Sequence, residues 1–387
     1  MSDTKTVIIC GAGWAGMHAA QILQRAGYKV KVLERETRPG GRVVTENLDG
    51  FLIDYGFQVI NPAYAELKES GALVGIDFYK LPKAIDLRIG METIRIGDPR
   101  QSLSYLNGTL NRATGTINEK LKFLRYLRRE TEDISFGQAL YETGDFFENV
   151  LSPFLTGVFL SDPKEVSNRM ARELIHWFIK GNPGVPAGGV GSVSQALSRN
   201  LDIEYGVEVT GIHSKSVETS KGNFQADYVI AALDPLSSAQ ILKLPLPIMN
   251  RSKSWYFKIA EDEIDSNVLK VGGIGPVINS LVISNIAPSY APAGSALLVA
   301  TTLGDGTEAE VRSHLSYLWE VAAENWTLLK CIDIPNSLPN HAPGKDLVIE
   351  NVIVNGVYVA GDWMATPSQQ GALLSGRRAA NAIIADQ

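Results

Sequence analysis

The chain has 387 residues, which is too many for one ordinary hydrophobic core and predicts two domains. Hydrophobic residues make up 45% of it and charged residues 20%, and the formal net charge is -6 with both signs interspersed. This is the composition of a soluble globular protein, and the lack of a basic stripe argues against nucleic acid as a partner.

Neither a cleaved leader nor a membrane span is expected. The opening "MSDTKTVIIC" enters a strand-like run at once, and no apolar run of about 18 residues follows. We therefore expect a cytoplasmic protein, while peripheral membrane contact and the oligomeric state stay open. Two cysteines, Cys10 and Cys331, could form one disulfide, but free thiols in a reducing compartment are favoured.

The first predicted elements are a strand, a glycine-rich turn, a helix and a second strand. "TVIIC" over 6–10 is apolar and β-branched, as in a strand buried on both faces. "GAGWAG" over 11–16 fits G-x-G-x-x-G, and apolar residues then recur at helical spacing up to Gly27. "KVKVLE" over 29–34 completes the strand-turn-helix-strand context that this glycine motif needs.

The motif predicts dinucleotide binding. Gly11 allows the tight turn, Gly13 lets the backbone approach a pyrophosphate, and Gly16 lets helix and strand pack closely. The helix N-terminus at Trp14 and Ala15 presents free N–H groups to the anion.

The end of the second strand indicates which dinucleotide is bound. Glu34 lies about 20 residues after the first glycine, where a carboxylate accepts hydrogen bonds from ribose hydroxyls. The 2′-phosphate of NADP would require an arginine in its place, so NADP is disfavoured, but it stays open because Arg35 follows. Gly40 and Gly41 then permit close backbone approach, and Arg42 offers a forked set of donors to phosphate. A nicotinamide-binding fold has no need of these last residues, so a larger cofactor is favoured.

The run from Glu34 to Arg42 resembles the second signature of the superfamily of FAD-dependent amine oxidases, phytoene desaturases and protoporphyrinogen oxidases. The resemblance implies FAD and an α/β fold, with a Rossmann-like FAD-binding domain of parallel sheet and helices. It also implies that Phe57 and Gln58, in the alternating stretch "FLIDYGFQVI" over 51–60, lie near the isoalloxazine. Plain strand packing is an equal alternative for this stretch.

Three stretches follow before the next FAD motif. "NEKLKFLRYLRRETEDISFGQAL" over 118–140 favours a solvated amphipathic helix over a membrane anchor, because acids are mixed with the bases. "LSPFLTGVFLSDP" over 151–163 suits a substrate-tunnel wall and a core turn equally well. "VPAGGVGSVSQAL" over 185–197 is a glycine-rich turn before a helix, which in the family marks the return to the FAD domain.

Strand-like text continues through residues 203–235. By the resemblance, Val209 contacts adenine through its backbone, and Ala231 with Ala232 runs close to the diphosphate. Three alternating stretches after residue 250 then predict an antiparallel sheet in an inserted α+β substrate domain. Trp255, Tyr256 and Phe257 are expected in the core of that sheet.

The far end of the chain carries a strand, "VYVAG" over 357–361, and a helix, "GALLSGRRAANAII" over 371–384. Together they resemble the C-terminal FAD signature of the superfamily. The resemblance implies that Gly361 and Asp362 approach the ribityl and diphosphate groups. It also implies that N–H groups near Gln370, Gly371 and Ala372 face the flavin pyrimidine, where they would stabilise negative charge on the reduced ring. No cysteine lies in this region, so FAD should be non-covalent.

The FAD motifs lie at the start, middle and end of the sequence, which predicts a discontinuous arrangement. Residues 1–65, 186–235 and 335–387 would build the FAD-binding domain. Residues 66–185 and 236–334 would build the substrate domain.

The resemblance implies an FAD-dependent oxidoreductase that removes a hydride from a hydrophobic or conjugated small molecule. One alternative is an amine oxidase that releases hydrogen peroxide, but amine oxidases of this superfamily usually carry an aromatic residue where this chain has Ser368. Another alternative is a flavin-binding protein without net redox turnover, as in an isomerase or a scaffold.

Other chemistries have little support in the sequence. The five histidines are not spaced as metal ligands, and neither C-x-x-C nor G-x-S-x-G occurs. No metal site is therefore expected. The catalytic side chains stay unknown, since the chemistry would centre on the flavin.

Overall fold

The computed structural model describes residues 4–98, 102, 104–129, 132–304, 306–350 and 352–386. Its strands are β1 (Thr6–Cys10), β2 (Lys29–Glu34), β3 (Thr45–Leu48), β4 (Phe51–Asp54), β5 (Phe78–Lys80), β6 (Ala84–Ile89), β7 (Glu92–Gly97), β8 (Gly184–Pro186), β9 (Ile203–Tyr205), β10 (Val209–Ile212), β11 (Ser216–Thr219), β12 (Gly222–Gln225), β13 (Tyr228–Ala231), β14 (Met249–Ala260), β15 (Leu269–Gly272), β16 (Val277–Val282), β17 (Ser295–Thr302), β18 (Thr327–Pro339), β19 (Ile353–Val354) and β20 (Val357–Val359). Its helices are α1 (Trp14–Arg25), α2 (Ala65–Ser70), α3 (Tyr105–Leu110), α4 (Ile117–Tyr126), α5 (Phe136–Ala139), α6 (Gly144–Phe146), α7 (Ser152–Phe159), α8 (Asn168–Lys180), α9 (Gly191–Ser198), α10 (Pro235–Leu242), α11 (Glu308–Trp319) and α12 (Gln369–Ala385).

A six-stranded sheet in the order β19-β20-β13-β1-β2-β9 forms the first half of the molecule. Its strands pair in parallel except at β19–β20, which is antiparallel. β1 lies between β2 and β13, and four of its five residues are buried, as its apolar sequence predicts. The sheet confirms the predicted Rossmann-like α/β class and the predicted strands at the start and end of the chain.

Helices α1 and α12 pack together against one face of this sheet, where they share a core with α9. The crossing of α1 and α12 is very close: a Cβ atom built on Gly376 would lie 2.1 Å from the carbonyl oxygen of Ala15. The other face of the sheet is covered by α10 and by the small sheet β10-β11-β12. The region predicted as further strands, 203–235, is thus divided between two sheets.

A second, seven-stranded sheet has the order β18-β14-β17-β16-β15-β6-β7. It is antiparallel except where β15 pairs with β6, and this pair joins the two inserted segments into one sheet. Trp255, Tyr256 and Phe257 of β14 are buried in it, as predicted. The domain boundaries stay a prediction, and the one drawn at residue 335 falls within β18.

Helices α4, α5, α7 and α8 form an apolar cluster beside the seven-stranded sheet. The stretch 151–163, expected as a tunnel wall or a core turn, contains helix α7. Leu155 and Phe159 of α7 are buried, whereas Phe154 and Val158 are half-buried. Gly157 allows α7 to approach β16, because a Cβ there would lie 2.5 Å from the side-chain nitrogen of Asn279.

The alternating stretch 51–60 is not one strand. Only β4 is extended, and it ends at Asp54, whose buried carboxylate ties three parts of the chain together. Asp54 accepts hydrogen bonds from the hydroxyl groups of Thr45 (2.5 Å) and Tyr290 (2.8 Å) and from the backbone N–H of Val190 (3.1 Å). These bonds fix the turn at the end of β4, and burial raises the pKa of Asp54 to about 6.

This raised pKa predicts an unusual pH dependence of stability. The native state holds the Asp54 proton up to about pH 6, whereas an unfolded chain loses it near pH 4. The free energy of unfolding should therefore fall by about 3 kcal/mol as the pH rises through this window, because ionisation is penalised only in the native state. In Asp54→Asn this contribution is absent, so its stability relative to the parent should increase by that amount from acid to neutral pH.

Urea unfolding at several pH values would measure the difference. Asp49→Asn is the matched control, since Asp49 is exposed in the same hairpin and its left-handed backbone (φ 51°) also suits asparagine. Parallel pH curves for Asp54→Asn and the parent protein would contradict the assignment.

Candidate flavin site

The site is built on the loop between β1 and α1. Gly11 donates its N–H to the carbonyl oxygen of Leu33 (2.7 Å), and its φ of +107° is a conformation that suits glycine. A Cβ on Gly16 would lie 2.1 Å from the carbonyl oxygen of Gly11, so glycine is needed for the helix to start this close to the strand. Both glycines therefore act as the motif predicts.

Gly13 has a different role, because nothing in the fold requires it. Its backbone is extended (φ -72°), and a Cβ there would meet no described atom within 4 Å. It is the N-cap of α1, and no described side chain caps the helix at that end. Open space in front of an uncapped helix N-terminus is where a diphosphate fits.

The second glycine pair lies beside this space. The N–H of Gly40 donates to the carbonyl oxygen of Ala12 (2.8 Å), and Gly13 and Gly40 form a parallel bridge. A Cβ on Gly41 would contact the Cα atom of Gly13 at 3.5 Å. The structure thus brings together the two glycine-rich runs that the sequence singled out.

Glu34 stands at the end of β2 and is buried. One of its carboxylate oxygens accepts the N–H of Ala12 (2.7 Å) and the other accepts the N–H of Glu36 (2.9 Å). The carboxylate therefore orders the glycine loop, and each oxygen keeps a further lone pair for a ribose hydroxyl. Arg35, by contrast, is exposed and lies 3.5 Å from the carboxylate of Glu36, outside this group.

Arg42 and Asp362, predicted from opposite ends of the chain, form an ion pair. An Nη2 atom of Arg42 donates to the Asp362 carboxylate at 2.7 Å, and Nη1 donates to the carbonyl oxygen of Ser337 at 2.7 Å. The Asp362 side chain is buried, while that of Arg42 is 33% exposed. Gly361 precedes this carboxylate with φ +152°, and a Cβ there would strike Trp363.

The side chain of Gln58 contacts the backbone of the same arginine. Its amide nitrogen donates to the carbonyl oxygens of Arg42 (2.8 Å) and Tyr55 (3.1 Å), and its amide oxygen lies 3.5 Å from the amide of Gln369. The N–H of Phe57 donates to the hydroxyl of Ser254 in β14 (3.2 Å). Both residues lie between the two halves of the molecule, next to the start of α12.

The first turn of α12 refines the predicted set of N–H donors. Ser368 caps the helix, because its hydroxyl accepts the N–H of Gly371 (3.0 Å) and its carbonyl oxygen accepts that of Ala372 (2.9 Å). The side chain of Gln370 turns away and accepts the N–H of Glu66 in α2 (3.2 Å). Within the described residues, the N–H groups of Gln369 and Gln370 are therefore the ones left for a ligand.

Two further predicted residues lie at the edges of the site. Ala231 ends β13 opposite Cys10 and Val359, and the next residue, Ala232, closes over Gly11. Val209 is half-buried at the start of β10. Two residues earlier, Val207 donates its N–H to the carbonyl oxygen of Glu34 (2.9 Å). The segment before β10 therefore lies beside Glu34, where the adenosine part of the cofactor is predicted.

Two residues that support the site are not indicated by any sequence pattern. Ser194 of α9 accepts the indole N–H of Trp14 (2.8 Å) and donates to the carbonyl oxygen of Val43 (2.6 Å). Glu173 of α8 accepts the hydroxyl of Thr366 (2.6 Å), just before α12. Ser194 lies in the stretch 185–197, whose pattern does not mark this serine, and Glu173 belongs to no recognisable motif; their partners lie more than 100 residues away along the chain.

Three more observations concern the chemistry expected here. Cys10 is buried and Cys331 exposed, and both are free, which agrees with the predicted thiols. Among the described residues, histidine, cysteine and acidic side chains do not gather into a group of three or more that would hold a metal ion. In the same part of the chain, no helix is long and apolar enough to cross a membrane.

Comparison with known proteins agrees with this geometry. The model of the flavin-containing amine oxidoreductase family matches residues 14–384. Polyamine oxidase 2 of Arabidopsis thaliana is 26% identical over 59% of this chain and 50% of its own length. The structure of an oxidoreductase from Methanosarcina mazei has a TM-score of 0.77 and 15% identity, covering 99% of this chain and 100% of that one. Reduced UDP-galactopyranose mutase has a TM-score of 0.73 and 15% identity, covering 99% and 96%.

The first curated relatives are longer proteins, and the match spans about a third to a half of their length. The solved structures share the fold, and the family model covers nearly the whole chain, from the start of α1 to the end of α12. The chain therefore belongs to the flavin-containing amine oxidoreductase family, the FAD-dependent oxidoreductases that its motifs resemble.

Proposed function

We propose that this protein is an FAD-dependent oxidoreductase that removes a hydride from a hydrophobic or conjugated small molecule. The observation that carries the proposal is the role of Ser368. This residue occupies the position where amine oxidases of the superfamily usually carry an aromatic side chain, and here it caps α12. Half of an aromatic cage for an amine is therefore replaced by a structural serine.

Aromatic side chains on and around α8 support an apolar substrate. The rings of Tyr64 and Trp177 meet edge to face at 5.4 Å, and those of Phe154 and Phe178 do so at 5.6 Å. All four side chains are half-buried, so each keeps some surface free for a ligand. The first pair links the segment before α2 to α8, and the second pair links α7 to α8.

Helix α8 reaches the site through one face. The carboxylate of Glu173 accepts the hydroxyl of Thr366 (2.6 Å). One turn later on the same face, the backbone carbonyl oxygen of Trp177 accepts the side-chain amide of Asn61 (2.7 Å). Asn61 and Tyr64 belong to the loop that leads into α2. This arrangement holds aromatic rings beside the segment that precedes α12.

When bound, FAD supplies the hydride acceptor. The residues of this chain hold the cofactor and prepare its surroundings. Gly13, Gly40 and Gly41 leave room for the diphosphate, and the uncapped start of α1 faces it. The N–H groups at the start of α12 would stabilise negative charge at the redox end of the site.

An amine substrate is the second candidate, and Glu173 is the observation that favours it. Burial, with the charge of the nearby Glu173 carboxylate as the second cause, raises the pKa of the Tyr64 phenol to about 12, so this half-buried carboxylate lies near the ring. A carboxylate beside the rings of Tyr64 and Trp177 would attract an ammonium group. The same residue would repel an anionic substrate.

An anaerobic screen of the purified holoprotein separates the candidates. We expect polyenes or porphyrinogens to bleach the flavin absorption. With a polyene, Glu173→Gln should leave the rate within about twofold, since this substrate has no charge to pair. Bleaching by diamines or polyamines that Glu173→Gln slows at least about tenfold would overturn the first proposal in favour of the second. If no tested class of substrate reduces the flavin, the result would instead support a flavin-binding protein without net redox turnover.

A further inference from the structure

The outward face of α4 is unusual for a surface helix. Ile117, Leu121 and Leu124 recur at i, i+4 and i+7, and their exposed fractions are 61%, 46% and 49%. The opposite face of α4 carries Phe123 and Tyr126, which pack into the helical cluster. The helix is therefore anchored on one side and presents an apolar stripe on the other.

More apolar surface adjoins this stripe. Tyr141 is 78% exposed in the turn next to α4, and this turn is held there by an ion pair between Lys122 and Glu142 (3.2 Å). Leu110, at the end of α3, is 61% exposed. The ammonium group of Lys120 in α4 donates to the carbonyl oxygen of Thr109 (2.6 Å), so α3 ends beside the first turn of α4. We call this surface of Leu110, Ile117, Leu121, Leu124 and Tyr141 the α4 face.

Arginine side chains gather at one end of the α4 face. Arg125, Arg128 and Arg129 are exposed at the C-terminal end of α4, and no carboxylate among the described residues pairs with their guanidinium groups. Two acids of the stretch 118–140 other than Glu119 are described: Glu132 is exposed, and Asp133 accepts the hydroxyl of Ser167 (2.6 Å) and the N–H of Gly344 (2.7 Å). Glu119 turns back to accept the N–H of Thr116 in the capping box (2.7 Å), and Glu142 pairs with Lys122.

We propose that the α4 face docks on a membrane surface that contains anionic lipids. Leucine and isoleucine side chains on one stripe would enter the boundary between headgroups and acyl chains, and the arginines would remain among the headgroups. Tyrosine at the rim is typical of this boundary. Since the whole chain carries a net charge of -6, general attraction to an anionic surface does not explain binding, and the local cluster of arginines is required.

Vesicle flotation of the purified holoprotein tests the proposal. We expect the protein to float with vesicles of phosphatidylcholine and phosphatidylserine and to float weakly with phosphatidylcholine alone. The double variant Arg125→Ala/Arg128→Ala should bind the anionic vesicles about thirtyfold more weakly. The double variant Leu121→Ser/Leu124→Ser should bind both kinds of vesicle at least about tenfold more weakly.

Ile274→Ser is the matched control, because Ile274 is 100% exposed but belongs to the segment between β15 and β16, away from α4. It should float like the parent protein, and the flavin spectrum of each variant reports that the fold is kept. No flotation of the parent protein, or flotation that the α4 variants leave unchanged, would overturn the proposal. A dimer in light scattering that Leu121→Ser/Leu124→Ser disrupts, without vesicle binding, would overturn it in favour of a second copy as the occupant.

Discussion

Gly13→Val should yield a folded protein that has lost its yellow colour. The backbone of Gly13 is extended, with φ -72° and ψ 173°, which a β-branched residue adopts without strain. Its Cβ would meet no described atom, so the protein itself has no reason to unfold. The new methyl groups would occupy the space in front of α1, where the diphosphate belongs. Overlap of this kind costs about 1–3 kcal/mol, so FAD should bind about ten- to a hundredfold more weakly.

The measurement is the ratio of flavin to protein absorption after gel filtration, together with far-UV circular dichroism. Gly304→Val is the matched control, since a Cβ on Gly304 also meets no described atom and its φ is ordinary. This variant should keep its flavin. A Gly13→Val protein that retains a full complement of FAD would show that the diphosphate does not lie against Gly13.

Gly376→Ala should destabilise the protein, although alanine favours helices. Within α12, the replacement alone would contribute up to about 1 kcal/mol of stability. Here the added methyl group would lie 2.1 Å from the carbonyl oxygen of Ala15 and 3.2 Å from its Cα atom, both in the backbone of α1. Neither atom can turn aside, so the two helices must separate. We expect a net loss of at least about 2 kcal/mol, because their shared core is then opened.

Thermal or urea unfolding with and without added FAD measures the effect. FAD affinity should fall as well, since α1 and α12 each present an N-terminus to the cofactor site. Gly304→Ala is the control and should change stability by no more than about 0.5 kcal/mol. An increase in stability for Gly376→Ala would contradict the close crossing of the two helices.

The elements that the sequence predicts well are those specified by neighbouring residues. The first strand, the glycine turn, α1 and β2 lie within about thirty consecutive residues, and each follows from spacing, turn chemistry and apolar period. The same holds for the central strands of the seven-stranded sheet, whose alternation is continuous over several residues. The stretch 51–60 shows the limit: its alternation predicts a strand, but the buried bonds of Asp54 end the strand at that residue.

Residues that act through distant partners could not be predicted. Arg42 and Asp362 were each expected near the cofactor, but their ion pair joins positions that no spacing rule connects. The pattern of the stretch 185–197 does not mark Ser194, and Glu173 belongs to an ordinary amphipathic helix; only the packing of α9 and α8 brings these two side chains to the site. In the same way, the N–H of Gly371, which was expected to face the flavin, is bound by the hydroxyl of Ser368.

The position of β1 has a consequence for biosynthesis. β1 is flanked by β2 on one side and by β13 on the other, and β13 begins at Tyr228. At about 5–20 residues per second, a ribosome would need roughly 10–40 s to add the second neighbour. During this interval the nascent chain carries an apolar strand with one unpaired edge, a template for association with other chains. Chaperone protection of the emerging N-terminal region, rather than early FAD capture, should therefore limit the yield of native protein.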